Sequence, residues 1–516
     1  MDFLLGTTLT FGYTALFLLA ISKMAFFRVG KIPVSWFQGA FVLKVLSGFL
    51  LYLVYTYYYT DRSTADIWKY YDDGMVLYSA LSHHPTDFLK MLFGIGNDTP
   101  HFEQYYNQMN HWYRPYGSSI ANDTHTIIRF NAFARLLSFG HYNVHSVMVN
   151  FLGLIGLTGI LHFLRLMSPA KEKWFFVCVF LMPGIMFWAS GVLKEPLLLF
   201  GLGLFLFSVW KMVDNGLSIS KAGLLFISLF VLITVKSYAL IAIIPGLFAW
   251  FVCNRFPKAR VSMVFIGAYV LLVVGILAAD SVSPDKSPVK RLARKQHEFY
   301  QLAEGGTYVR TSENDTLYIG PEFYDAFLFV SNREKIVLQS DVQATSWEQA
   351  KQVGAPLKDL RAGSEYEILL DYGRTGSTIN IPKLEANAWS VLKAVPLAFV
   401  NAAFRPFPWN IRSPFMLLSG IENIILMLLF LAAGIRFLKN PFGHSFLKSK
   451  SVFYVAILFA ATILILTGLV TPVVGAIVRY KVPALPFLVC GLLAVVDTGG
   501  LDVKLSKRFP FFKRYF

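Results

Sequence analysis

Long apolar runs alternate with short polar connections along most of this chain. Each run matches, when coiled as a helix, the thickness of the hydrocarbon core of a bilayer, and a helix satisfies its own backbone hydrogen bonds in lipid. The pattern therefore predicts an all-α polytopic membrane protein with about 11 transmembrane helices. The predicted spans are 3–22, 35–57, 143–165, 174–191, 195–212, 222–236, 237–253, 261–279, 415–436, 452–470 and 473–497. The sixth and seventh are two short spans that meet at Lys236-Ser237-Tyr238.

The polar stretches between these spans predict the remaining organisation. Segment 280–385 is polar enough for a small α+β extracytoplasmic domain, with strands at 307–309, 316–319 and 377–381 and a helix at 346–353. Interfacial helices are predicted at about 125–138 and within 386–414. The predicted regions are 1–279, an N-terminal transmembrane region with a catalytic outer loop at 59–142; 280–385; 386–414; and 415–516, a C-terminal transmembrane region with a basic cytoplasmic tail.

Composition agrees with a membrane location. Hydrophobic residues make up 55% of the 516 residues, and the mean hydropathy is +0.52. The net charge of +16 comes mainly from short connections, which fits the positive-inside rule and gives no reason to expect nucleic acid. With an odd number of spans the C-terminus lies in the cytoplasm and the N-terminus outside. The basic cluster between Lys286 and Lys295 is the exception, since it falls on the outer side.

Acidic residues at the predicted outer ends of spans are the first candidates for chemistry. Asp66, Tyr70 and Asp73 fall at i, i+4 and i+7 and share one helix face. With Glu195, these carboxylates suit a general base or a site for Mg²⁺ or Mn²⁺. The alternatives are a solvated face for the two aspartates and an ordinary helix start at Glu195, which the following Pro196 also favours.

Basic residues near the same predicted surface form a second set of candidates. Arginine binds phosphate with paired donors and lysine adds a point charge, so these cations predict a site for an anionic headgroup. The alternatives are snorkelling to the interface and anchoring to lipid headgroups. The candidate phosphate ligands are Arg479, Lys481, Lys236, Lys194, Arg405 and Arg412, with Tyr238 and Tyr480 beside them.

Motifs for nucleotide chemistry are missing from the sequence. It contains no phosphate-binding loop, no glycine-rich dinucleotide turn and no nucleophile elbow in a suitable setting. Histidines are frequent in 59–142 but lack metal-ligand spacing, and the three cysteines are expected to be small buried residues. Direct use of ATP or NAD is therefore not expected.

The arrangement resembles the GT-C superfamily of membrane glycosyltransferases, which includes protein O-mannosyltransferases and aminoarabinose transferases. Asp66 with Tyr70 resembles the acidic motif of their first outer loop, Glu195 their second acidic position, and Arg479-Tyr480-Lys481-Val482-Pro483 a motif near the last spans. Two departures from the family are the extra first span and Asp66-Ile67 in place of an Asp-Glu doublet.

The resemblance implies a polyprenyl-phosphate-linked sugar donor, and a lipid-linked glycan, lipid or protein as acceptor. It also implies a multi-pass protein of the cell inner membrane with a site facing the periplasm or exterior. Asp66 would act on the acceptor, while Arg479 and Lys236 would stabilise the leaving phosphate.

Two other classes of function remain open. A polymerase or a flippase of lipid-linked glycans needs a similar cationic site, although a flippase predicts ionisable residues deep within several spans. A structural membrane subunit without activity is the third alternative, and it gives no reason for clustered aspartates and arginines.

Overall fold

A computed structural model describes residues 2–59, 62, 65–112, 122–282, 287–311, 315–331, 334–346, 357–411, 414–439 and 447–498. Most of this part of the chain is helical, with one small antiparallel sheet, which confirms a helical membrane protein. The helices are α1 Asp2–Lys23, α2 Val34–Leu53, α3 Asp66–His83, α4 Pro85–Phe93, α5 Glu103–Tyr106, α6 Asp123–Ser138, α7 Tyr142–Leu164, α8 Glu172–Phe180, α9 Pro183–Trp188, α10 Lys194–Asn215, α11 Ile219–Arg255, α12 Val261–Val282, α13 Pro288–Glu304, α14 Ala388–Phe404, α15 Pro414–Lys439, α16 Lys450–Val470, α17 Val474–Tyr480 and α18 Leu485–Val495.

Eight helices in the described ranges are long and apolar enough to cross a membrane, or up to nine if the bent pair α17 and α18 is one span. These helices confirm a multi-pass helical protein, and the number of about 11 spans stays a prediction. One span predicted at 174–191 is instead the two short helices α8 and α9, because Pro183 cannot donate the backbone hydrogen bond that would continue α8. The span predicted at 473–497 bends by 69° between Tyr480 and Leu485, around Pro483.

The chain forms two compact units. The first contains residues 1–268, 424–461 and 482–516, and the second contains 269–423 and 462–481.

Helices α7 and α10 pack backbone against backbone in the first unit. A Cβ added at Gly156 would overlap the carbonyl of Leu199, and one added at Gly159 would overlap Gly203. Residues further along α7 contact residues further along α10, so the two helices run parallel. Their first residues therefore lie at the same end of the unit, which we call the Lys194 end.

Helix α11 is interrupted at Lys236, whose φ of −155° and ψ of 81° are not helical. Its first half runs antiparallel to α10, and a Cβ at Gly201 would touch Leu232. Its second half brings Trp250 against Phe163 near the last residue of α7, with ring centroids 5.6 Å apart. Trp250 follows Lys236 by 14 residues, which as a helix span about 21 Å along the axis. The chain therefore turns back at Lys236, which lies at the Lys194 end.

Both helices predicted to lie in the membrane interface are present as helices. Helix α6 covers the stretch predicted at about 125–138, and its buried face contacts α3. Helix α14 lies within 386–414 and exposes Trp389 and Leu392.

The second unit contains a seven-stranded antiparallel sheet with strand order β3-β4-β7-β1-β2-β5-β6. Alternate side chains such as Val309, Leu317, Ile336 and Ala344 form its core, as expected for a sheet with one buried face. The strands are β1 Gly306–Arg310, β2 Thr316–Ile319, β3 Phe327–Val330, β4 Lys335–Leu338, β5 Val342–Ser346, β6 Leu357–Leu360 and β7 Glu365–Tyr372.

Two of the three predicted strands correspond to β1 and β2. The third, at 377–381, is wrong, since this stretch forms only an isolated bridge between Thr378 and Val473. Residues 377–381 instead pack beside the start of α17, where Ile379 N donates to Pro472 O at 2.7 Å. The helix predicted at 346–353 lies outside the described residues, except for Ser346, which ends β5.

Candidate functional site

The first turn of α6 presents an aspartate at the Lys194 end of the first unit. Asn122 caps the helix, because its Oδ1 accepts from the backbone N–H groups of Thr124 at 2.9 Å and His125 at 3.1 Å. Asp123 follows in the first turn, where the helix dipole favours a negative charge. The cap and the dipole together fix an ionised carboxylate at this position.

Asp123 joins two lysines that are far apart in sequence. Its Oδ2 lies 3.1 Å from Lys194 Nζ and 2.7 Å from Lys236 Nζ. Lys194 also donates to the hydroxyl of Thr124 at 2.8 Å. We call Asp123, Lys194 and Lys236 the lysine bridge. A second contact holds α6 to α11 beside it, in which the Thr126 hydroxyl donates to Thr234 O at 3.2 Å.

The lysine bridge carries one more positive than negative charge. Burial alone would raise the pKa of Asp123, but the charges and hydrogen bonds of Lys236 and Lys194 outweigh it and hold that pKa well below its usual range. Asp123 is therefore ionised at neutral pH. The side chains of both lysines are mostly shielded from water, which strengthens their electrostatic interactions.

The Asp66 helix predicted from the sequence lies beside this bridge. Helix α3 begins at Asp66, and the ring of Tyr70, one turn later, lies 5.2 Å from Lys194 Nζ. Tyr70 is buried and Asp66 is half-buried. Asp66 precedes Tyr70 by one helical turn, about 6 Å along the axis of α3.

Asp73 anchors a loop of the same unit. Its two carboxylate oxygens accept from the backbone N–H groups of Asn110 at 2.8 Å and His111 at 2.7 Å. Burial raises the pKa of Asp73 to about 6, against the lowering effect of those hydrogen bonds. Both oxygens therefore accept hydrogen bonds from the backbone at residues 110–111, and the predicted catalytic role of Asp73 stays a prediction.

The predicted metal ligands are not brought together. Across the described ranges, no three His, Cys, Asp or Glu side chains lie close enough to hold a metal ion, so Asp66, Asp73 and Glu195 do not form such a site. Glu195 is buried in the first turn of α10, with 3% of its surface exposed. That position favours a negative charge through the helix dipole.

A stack of aromatic side chains borders α6. The rings of Trp112 and His125 are parallel, with centroids 3.9 Å apart, and the Arg129 guanidinium lies 5.0 Å from the Trp112 ring. Burial, and then the charge of Arg129, lowers the pKa of His125 to about 3. The imidazole is therefore neutral at physiological pH. The stacked rings pack against the first turn of α6.

Lys481 does not have the environment of a phosphate ligand. Its side chain in the second unit is fully buried, and Nζ lies 3.2 Å from Glu422 Oε1 and 2.5 Å from Asn423 Oδ1. A cation without access to solvent neutralises the buried Glu422. Lys481 therefore has partners within the protein, and its assignment as a ligand of the donor phosphate stays a prediction.

The other predicted cations of the second unit have local partners. Arg405 Nε donates to Asn401 Oδ1 at 2.9 Å, and Asn423 Nδ2 donates to the carbonyls of Phe404 and Pro406 at 3.0 Å, which fixes the chain on both sides of Arg405.

Arg479 is half-buried at the end of α17, and the ring of its neighbour Tyr480 lies 5.9 Å from that of Phe299. Arg412 lies outside the described residues. Tyr238 lies in the first unit, with its ring 6.0 Å from Lys236 Nζ. Arg479 and Lys236, predicted to act on one phosphate, thus belong to different units.

The fold and the lysine bridge define a helical, multi-pass membrane protein with a cationic site at one end of its helices. No protein-family model, curated protein or solved structure matches the chain. Sequence reasoning found both lysines but missed Asp123. The signal available was its position directly after a capping asparagine, at the start of the predicted helix at 125–138.

Proposed function

We propose that this protein is an integral membrane glycosyltransferase that moves a sugar from a polyprenyl-phosphate-linked donor to an acceptor at the outer face of the membrane. The observation that carries the proposal is the lysine bridge beside Asp66, because it combines cations suited to a phosphate with a carboxylate suited to an acceptor. The resemblance of Asp66 with Tyr70 to the acidic motif of GT-C enzymes supports the same conclusion.

Each group has a defined part in the proposed transfer. Asp66 takes the proton from the acceptor hydroxyl or amine as that atom attacks the anomeric carbon. The bond between the anomeric carbon and the phosphate oxygen breaks, and the leaving polyprenyl phosphate gains negative charge. Lys194 and Lys236 stabilise that charge, because they are held in place before the reaction and need little reorganisation.

Asp123 acts as a positioning residue in this proposal. Without its carboxylate the two ammonium groups would repel each other and move apart. With it, both are held on one oxygen atom, at 3.1 and 2.7 Å. Glu195 acts as the second acidic position of the resemblance.

The proposed topology has about 11 crossings, with α8 and α9 together forming one of them. In this arrangement the two halves of α11 are separate spans that meet at Lys236, and the pair α17 and α18 forms one broken span. The Lys194 end then faces the periplasm or exterior of the cell inner membrane. The basic connections, such as Lys171 and Lys173, face the cytoplasm.

Release of polyprenyl phosphate from a sugar-linked donor tests the function. The full chain would be reconstituted in liposomes with a panel of polyprenyl-phosphate-linked hexoses and pentoses and with lipid and peptide acceptors. A transferase releases polyprenyl phosphate and labels the acceptor once per donor consumed. A flippase moves the intact donor between leaflets without release, and a polymerase extends a lipid-linked glycan; either result would replace this proposal.

A further inference from the structure

A groove with a volume of about 740 Å³ lies in the second unit, between α13 and the segment that precedes α14. One wall of the groove is α13 and the other is the segment 383–386. The lining residues of α13 are Lys290, Arg291, Ala293, Arg294, Gln296, His297, Tyr300, Gln301 and Glu304. No role in the proposed transfer uses this groove.

Buried hydrogen bonds hold the two walls of the groove at a fixed separation. Gln296, with 3% of its surface exposed, donates through Nε2 to Pro382 O at 3.0 Å and accepts at Oε1 from Leu384 N at 2.7 Å. The Tyr300 hydroxyl donates to Ile381 O at 2.8 Å and accepts from Ile381 N at 3.0 Å. The groove is therefore a formed site whose shape does not depend on a ligand.

The charge of the lining is positive toward the start of α13. Lys290, Arg291 and Arg294 lie in the first two turns, and Lys383 lies on the opposite wall. Arg294 Nε is 4.0 Å from Glu298, whereas the described residues offer Lys290, Arg291 and Lys383 no ion pair. Cations at the start of a helix oppose its dipole, so an anion bound among them removes an unfavourable interaction.

Two carboxylates also line the groove. Glu385 contacts Asn387 Nδ2 at 2.8 Å, and Glu304 lies at the far end of α13. The lining contains four cationic and two acidic side chains, so the groove has a net positive charge. Most of that positive charge lies at the end of the groove nearest α12.

Apolar surface continues from the floor of the groove. Ala293 and Leu384 belong to a buried cluster with Ala394 and Ala398 of α14. The outer surface of α14 exposes Trp389 at 63%. Only five residues separate the end of α12, a candidate membrane span, from the start of α13, a distance of at most about 20 Å. The groove therefore lies within reach of lipid headgroups.

We infer that this groove binds the anionic phosphate headgroup of a membrane lipid, with the lipid tail along α14. A basic pocket next to an apolar helix surface at the membrane boundary suits such a ligand. The inference rests on the second unit alone and does not depend on the proposed transferase activity.

Binding of short-chain lipids to the full chain tests the inference. Native mass spectrometry of the protein in neutral detergent would measure retention of dioctanoyl phosphatidic acid, dioctanoyl phosphatidylcholine and inorganic phosphate. The double variant Arg291→Gln/Lys383→Gln should bind phosphatidic acid at least about tenfold more weakly than the parent, because two charge-assisted contacts are lost. The control Lys295→Gln, which alters an exposed lysine paired with Glu298 outside the groove, should bind like the parent.

Three outcomes would overturn the inference. These are equal affinity of the double variant and the parent for phosphatidic acid, equal affinity of the parent for phosphatidylcholine and phosphatidic acid, and binding of inorganic phosphate as tight as that of phosphatidic acid. The last would assign the groove to free phosphate rather than to a lipid. A Lys236→Met variant that still binds phosphatidic acid like the parent would separate this groove from the lysine bridge.

Discussion

Replacing Asp123 by asparagine removes the negative charge that holds the lysine bridge together. The two ammonium groups both contact Oδ2, so they are at most 5.8 Å apart, the sum of the two contact distances. At an effective dielectric constant of 20, two like charges at that distance repel each other by about 3 kcal/mol. Both attractive contacts are also weakened in the variant.

The net effect is smaller than these gross interactions, since 32% of the Asp123 side chain remains exposed and water screens the charges. Removing one partner of a buried ion pair costs about 3–5 kcal/mol, and because water screens Asp123 we expect about 2–4 kcal/mol here. Asp123→Asn should therefore lower the free energy of unfolding by that amount. The double variant Asp123→Asn/Lys194→Met should recover part of it, because only one cation remains.

Chemical unfolding in mixed detergent micelles, followed by tryptophan fluorescence, measures this difference. Asp72→Asn is the matched control, because Asp72 pairs through two contacts, at 2.6 and 2.8 Å, with the exposed Arg62, and the loss of that pair should change stability by about 1 kcal/mol. An Asp123→Asn variant as stable as the Asp72→Asn control would show that the charge of Asp123 does not stabilise the lysine bridge.

Two further variants test other buried charges. Lys481→Met should destabilise the protein by about 3–5 kcal/mol, because it removes the lysine that pairs with the buried Glu422, and adding Glu422→Gln should restore much of the loss. Equal unfolding midpoints for the single and double variants would contradict this. Since the folded-state pKa of Asp73 is raised to about 6, its contribution to stability should fall by about 3 kcal/mol as pH rises from 4 to above 6. Asp73→Asn should remove that part of the pH dependence, and an unchanged profile would reject it.

The sequence predicted a helical membrane protein, because a bilayer-length apolar run has few other stable structures. It also identified Lys236 as a break, since a polar Lys-Ser-Tyr group interrupts one long apolar run. It did not predict the division of 174–191, where Pro183 ends a helix within an apolar run. Hydropathy averages over such a residue and does not register its missing hydrogen-bond donor.

Side-chain partners were much harder to predict than spans. Lys194 stood out because a cation opposes the dipole at the start of α10, but its partner Asp123 lies 71 positions earlier in the chain and only the fold brings them together. The same holds for Lys481, whose burial against Glu422 depends on long-range packing. Asp66 and Asp73 share a helix, yet two backbone N–H groups engage Asp73. Periodicity gives the face of a helix and not what covers it.

The rate of polyprenyl phosphate release by Asp66→Asn, measured in liposomes with the sugar-linked donor and acceptor, decides whether Asp66 is the base of the proposed transfer. Asparagine keeps the size of the side chain but cannot take a proton, so release should fall by about 10²–10⁴-fold while the protein remains folded. The Asp72→Asn control, one position from the buried Asp73 on the same helix, should retain the parent rate. Release by Asp66→Asn at the parent rate would contradict the assignment of Asp66 as the base and with it the proposed transfer at the lysine bridge.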